Sequence, residues 1–225
     1  MKKTIILICT IIFLGCAQGY SNLDRQTLTG IDEGDKIAVL IDSTPYSQPS
    51  PNEKKICNCL ANGFKKLNKE VDIISSEEFR NAAILNINLP KNSTTQTAID
   101  YLFADKNNAK QIEHMGVRYI VLVDETVTTE YVIRNESGWD MSGQAPAYIF
   151  IDKATQVNIE IFGLIYDVKR GSKSGEIRSW SSGESYFLLM TIMAFGWPSG
   201  ASFSHACEQF GKDAARFITG QEPTE

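Results

Sequence analysis

Histidine is nearly missing from this chain: two in 225 residues, His114 and His205, far apart in sequence. No His-x-x-x-His and no Cys-x-x-Cys pair occurs, so the usual ligand spacings of zinc sites are absent. Cys57 and Cys59 stand two apart, which on a helix turns their thiols to different sides. There is no Gly-x-Ser-x-Gly, no phosphate-binding loop and no Gly-x-Gly-x-x-Gly, which removes the signatures of α/β-hydrolases, nucleotide hydrolases and dinucleotide enzymes. Ser182-Gly183-Glu184-Ser185 lies in a strand pattern and not at a strand-to-helix elbow. Basic residues (22) are fewer than acidic ones (27), the net charge is −5 and no Lys/Arg run occurs, which argues against nucleic-acid binding through bulk electrostatics. These absences lead us to expect no catalytic residue, no metal and no cofactor.

What is present is an ordinary globular mixture, 43% hydrophobic and 22% charged. The length suits one domain with a full core. The amino terminus carries the strongest signal. Lys2 and Lys3 precede an apolar run from Thr4 to Leu14 that ends in Phe13-Leu14-Gly15-Cys16. That run is too short to span a bilayer, which takes about 20 residues, but it fits the hydrophobic region of a signal peptide. The Gly-Cys pair resembles a bacterial lipobox, which implies cleavage before Cys16 and acylation of its thiol. An ordinary secretory signal cut near Ala17 or Gly19 is the alternative. Ala17, in place of Asp, implies the outer membrane. Residues 1–15 are therefore expected to be a lipoprotein signal peptide, 16–35 a flexible tether, and 36–225 a single α/β domain.

Ile37 to Ile41 is continuously apolar, the mark of a strand covered on both faces. Ile56, Leu60, Phe64 and Leu67 recur at helical spacing and predict a helix over 51–68. Val71 to Ile74 reads as a short strand, and Ser75 with Glu78 forms a capping box. Residues 98–115 read as one helix, with Gly116 as its C-cap. Val117 to Val123 is a buried strand, continued over 126–132. Val157 to Val168 and Glu176 to Ser185 predict a hairpin around a turn at 171–175. Phe203, Ala206, Cys207, Phe210, Ala214 and Phe217 line one face of a closing helix. The expected architecture is α/β: a mixed sheet with parallel β-α-β units, a C-terminal β-hairpin and a final helix.

Outside the leader, Cys57, Cys59 and Cys207 remain once Cys16 is acylated. An odd number in an oxidising compartment suggests one disulfide and one thiol, with Cys207 joined to Cys57 or Cys59; three buried free thiols are the alternative. Asp42 and Asp124 each follow an apolar strand. They read either as loop caps or as a polar cluster at the carboxyl edge of a parallel sheet. Asp167 and Glu125 also lie near strand ends. Residues 186–198, YFLLMTIMAFGWP, form an apolar connection from a strand to the last helix. This segment either covers the core or exposes Phe187, Leu188, Met190, Met193, Phe195 and Trp197 as an interaction patch for self-association or an envelope partner.

Several stretches together resemble known families: Ile37-Ala38-Val39-Leu40-Ile41-Asp42, Met115-Gly116-Val117-Arg118-Tyr119-Ile120-Val121, the hairpin IEIFGLIYDVKRGSKSGEIRSWSSGES, and Gly196-Trp197-Pro198. They are similar to periplasmic lipoproteins related to the curli-secretion lipoprotein, the penicillin-binding-protein activator lipoprotein and the amino-terminal domain of the Tol translocation protein. The resemblance implies a non-enzymatic binding, scaffold or assembly role on the periplasmic face of the outer membrane. The partners would be the membrane, through the lipid anchor, and protein, with no nucleic acid. A subunit of an oligomeric outer-membrane secretion complex and an envelope hydrolase with an unrecognised site are the other readings.

Overall fold

The structure, a computed structural model, describes residues 18–42, 52–85, 87, 89–90, 93–134, 151–190, 193–197 and 203–221. The strands are β1 (Gln18–Arg25), β2 (Lys36–Ile41), β3 (Asp72–Ile74), β4 (Val117–Arg134), β5 (Ile151–Asp167), β6 (Ser172–Met190) and β7 (Met193–Trp197). The helices are α1 (Glu53–Lys66), α2 (Ser76–Phe79), which runs into a π-helical turn at Arg80–Ile84, α3 (Thr95–Ala104), α4 (Lys106–His114) and α5 (Phe203–Ile218). The strands form one sheet in the order β1-β6-β5-β4-β2-β3, with β7 paired to β6. This is the expected mixed α/β architecture.

β2 lies parallel to both β3 and β4, with Leu40 opposite Leu122 and Ile37 opposite Ile73. Parallel neighbours need crossover helices, and α1 and the α2–α4 segment supply them. The two faces of β2 are therefore both covered, and Ile37 to Leu40 have no exposure at all. Ala38, Leu40, Ile120 and Leu122 pack with Phe79, Ile84, Ile99, Leu102 and Ile112. On the opposite face α1 and α5 approach so closely that a side chain on Gly63 would run into the Gly211 carbonyl. Cys59 and Cys207 form a disulfide between these two helices, Cα to Cα 5.8 Å, across 148 residues of chain.

Strand direction on the other side of the sheet follows from the connections. Val168 N donates to Arg118 O at 3.0 Å, so the end of β5 meets the start of β4 and the two run antiparallel. Four residues join β5 to β6, too few for a parallel crossover.

Local chemistry set most of the element ends. Ser75 Oγ accepts from Glu78 N at 3.3 Å, capping α2. Gly116 takes φ +78° after α4 and ends it. The expected single helix over 98–115 is two helices, because Asp105 turns to an extended conformation and its carboxylate accepts from Asn107 N at 2.8 Å.

Three expectations need correction. Residues 16–35 are not a free tether over their described part: Gln18–Arg25 is a sheet strand. At its end Arg25 Nη2 donates to the carbonyls of Arg216, Phe217 and Gln221, and beyond it Gly30 O accepts from Tyr119 Oη at 2.8 Å. The orphan carbonyls at the end of α5 bind that segment. Next, the stretch 36–225, expected as one domain, falls into two compact units. The chain divides into two compact units, residues 1–19, 126–160 and 180–205 in one, and 20–125, 161–179 and 206–225 in the other. Last, the segment at 186–198 is not a plain connection over its described part: β6 runs on to Met190 and β7 returns beside it.

Candidate functional site

The carboxyl ends of parallel strands collect polar groups because the chain leaves the sheet there and enters helices by their amino ends. Here β2 ends at Ile41 and β4 passes Asp124 beside it, while α1 and α2 begin at Glu53 and Ser76. Glu53 is buried, and its Oε1 accepts from Ser76 N at 2.8 Å, so a carboxylate on one helix caps the next. Among the described residues its Oε2 and the Ser76 hydroxyl have no hydrogen-bond partner. Arg80, also buried, donates from Nη2 to Ile41 O at 3.2 Å. Burial pulls the Arg80 pKa down, opposed by the Glu53 carboxylate. Asn52 donates to both Glu125 oxygens, at 3.2 and 3.1 Å, instead of capping its own helix.

Around this edge the acids press on one another. Partial burial, then the Asp124 carboxylate, raise the Asp42 pKa above its usual 3.8. Tyr166 is pushed up to about 12, by burial first and then by Asp100 and Asp42, against a hydrogen bond from Gln96. Asp100 is itself raised by burial. An open cavity of about 450 Å³ lies against Tyr166, lined also by Gln96, Asp100, Phe103 and Lys173. Lys173 Nζ faces Glu176 Oε2 at 3.3 Å. Among the described residues no group of three or more His, Cys, Asp or Glu could hold a metal ion.

The pairing of Ile41 with Val123 brings Asp42 and Asp124 side by side at the carboxyl edge. Asp167 goes elsewhere. It is fully buried, bonds Arg118 through both carboxylate oxygens, the Nη2–Oδ2 contact at 2.9 Å, and accepts from Arg170 N at 3.0 Å in the β5–β6 turn. His114 and His205 are exposed on separate helices. Of the two cysteine pairings, the structure contains Cys59–Cys207. Cys57 is a free, half-buried thiol whose pKa burial and then Glu53 raise to about 11. A thiol so shifted is a poor nucleophile at neutral pH. Cys16 lies outside the described residues. So do the side chains of Phe187, Leu188, Met190, Met193, Phe195 and Trp197, whose backbone register alone is described.

Sequence reading missed Glu53 and Arg80. Glu53 looks like any acid in a first helical turn, and Arg80 follows Phe79 with no motif around it. Their burial arises only when α1 and α2 meet at the same sheet edge.

No protein-family model matches the chain, and no curated protein matches it. Among solved structures, the chain is similar to the PelC dodecamer from Paraburkholderia phytofirmans, with a TM-score of 0.36 and 12% identity over 92% of this chain and 100% of that one. A substituted PelC dodecamer from the same organism gives a TM-score of 0.33 and 12% identity, over 92% of this chain and 97% of that one. At these scores the likeness carries no functional argument.

Proposed function

We propose that this chain is a lipid-anchored protein of the bacterial cell envelope that works by binding, as a scaffold or assembly factor, and catalyses no reaction. Its place would be the periplasmic face of the outer membrane, held there by acyl chains on Cys16. The disulfide between Cys59 and Cys207 carries the reading, because such bonds persist outside the reducing cytoplasm. It fits the charged, apolar, Gly-Cys leader of residues 1–16 and the Ala at position 17. For a binding role speaks the hairpin of β6 and β7, ten apolar residues in five cross-strand pairs.

The test is membrane fractionation with intact-mass measurement of the mature chain. Wild type is expected in the membrane fraction, beginning at an acylated Cys16. Cys16→Ser is expected in the soluble fraction or unprocessed. Equal membrane association of the two would overturn the anchor. The same apolar hairpin also favours a subunit of an oligomeric outer-membrane complex, and the mass of detergent-extracted protein by light scattering separates an oligomer from a monomer.

A further inference from the structure

We propose that the outward face of α1 is a docking surface for anionic phospholipid headgroups. The membrane comes from the anchor reading; the helix face adds a second, electrostatic contact with it.

Helical spacing sets the face. Ile56, Leu60, Gly63 and Phe64 are buried and turn one side of α1 to the core. The other side exposes Lys54, Lys55, Lys65 and Lys66, with Asn58 and Asn62 exposed between them. Lys65 follows Lys54 by eleven residues and Lys66 follows Lys55 by the same number, about three turns. Two pairs of lysines therefore stand in line, about 16 Å apart along the axis. Lys69, just past the helix, is exposed as well. The single acid of α1, Glu53, is buried and bonded to Ser76 N. Of the acids nearby, Glu208 of α5 pairs with Lys66, and Glu70 follows Lys69.

Helix stability does not account for this pattern. Lys65 and Lys66 suit the negative end of the helix dipole, but Lys54 and Lys55 stand in the first turn, where a cation is disfavoured. The chain as a whole is acidic, with a net charge of −5. The helical layer on the other face of the sheet carries the opposite sign. There α2, α3, α4 and their caps expose Glu77, Glu78, Asp100, Asp105 and Glu113, and hold Lys106 and Lys110. Within one compact unit the sheet separates a basic helix face from an acidic layer. A planar anionic surface attracts the first and repels the second, which fixes the side that meets it. Each lysine near such a surface strengthens binding about fivefold, and four together on the order of several hundredfold. The face carries no large apolar side chain, so it meets headgroups and leaves the acyl chains alone.

The test uses the full chain with vesicles of phosphatidylcholine alone or mixed with phosphatidylglycerol, at low salt. A water-soluble amine-acylating reagent and peptide mass spectrometry read each lysine. On phosphatidylglycerol, Lys54, Lys65 and Lys69 are expected to react about fivefold more slowly. Lys110 is expected to be unchanged, and high salt to restore the rates. Lys54→Glu with Lys65→Glu is expected to abolish the protection of Lys69. Glu at position 54 suits the helix dipole, and circular dichroism checks the fold. If the variant folds poorly, the wild-type contrast between the two vesicles and two salt levels decides alone. Equal labelling on both vesicles overturns the inference. Protection that appears without lipid and rises with protein concentration also overturns it, since a second copy then covers the face. The acyl mass is read on the same sample. An acylated chain with unprotected lysines leaves the anchor standing, and protection on phosphatidylglycerol without acyl mass overturns the anchor and leaves the docking face.

Discussion

The β2 strand and the β6–β7 hairpin are both almost purely apolar, yet their settings differ. Ile37 to Ile41 sits between two crossover helical layers, and its exposure never exceeds 6%. In the hairpin β7 returns beside β6 with Met193 opposite Met190, and the next helix among the described residues begins at Phe203. A parallel strand is accompanied by the elements that bury it, because the chain must form a crossover to return in the same direction. A hairpin needs no crossover. An apolar run therefore reports core only where the connections on either side supply cover, and an apolar hairpin has to find its cover from outside its own connections.

The comparison breaks most visibly where the sheet is held by charge. Arg118→Ala takes the bidentate partner from the fully buried Asp167, leaving it Arg170 at 3.6 Å, and is expected to cost about 3 kcal/mol in urea unfolding. Replacing both, with Arg118→Met and Asp167→Leu, is expected to recover most of that loss; if it does not, the pair does more than neutralise itself. Next in size is the staple on the helical layer. Cys59→Ser removes the bond to Cys207 and is expected to cost about 2–4 kcal/mol. A reductant should then shift the wild-type midpoint but leave that of the variant unchanged.

Substitutions in the hairpin sharpen the contrast. Phe187→Ser with Met190→Ser is expected to change unfolding free energy by about 1 kcal/mol or less while weakening membrane or partner association. A collapse of thermal stability would instead make the hairpin part of the core. The smallest effect belongs to the carboxyl edge. Asp42 has a raised folded pKa, so at neutral pH its charged form opposes folding. Asp42→Asn is expected to stabilise by about 0.5 kcal/mol or less, given the solvent screening at this exposed residue. The gain fades as pH falls through the raised folded pKa toward 3.8, where wild type takes up its proton. A gain that grows on acidification would refute the Asp42–Asp124 repulsion.

Much of the fold was legible because its signals are local. Ser75 and Glu78 marked a helix start, Gly116 marked a helix end, and five consecutive apolar residues marked a buried strand. The Asp105 break was harder to see, since a single cap had to outweigh an apolar pattern continuing on both sides. Residues 18–25 looked polar and aperiodic, and they form a strand at the end of the sheet order because β6 offers them its backbone. The carboxyl-edge cluster was half legible: Asp42 and Asp124 announce themselves after apolar strands, whereas Glu53 and Arg80 do not.

Sequence alone determined much of what depends on neighbours along the chain: most of the strands and helices from Lys36 onward, and the parallel half of the sheet. Tertiary structure decided what depends on partners far along the chain. It chose Cys59 over Cys57 for Cys207, because α1 and α5 cross at Gly63 and Gly211 and bring that thiol to the contact. It gave Asp167 to Arg118, 49 residues away. It drew the segment after Cys16 into the sheet, since an open strand edge and the free carbonyls of a helix end are satisfied by whatever chain reaches them, and the amino acid code of that chain hardly records the fact.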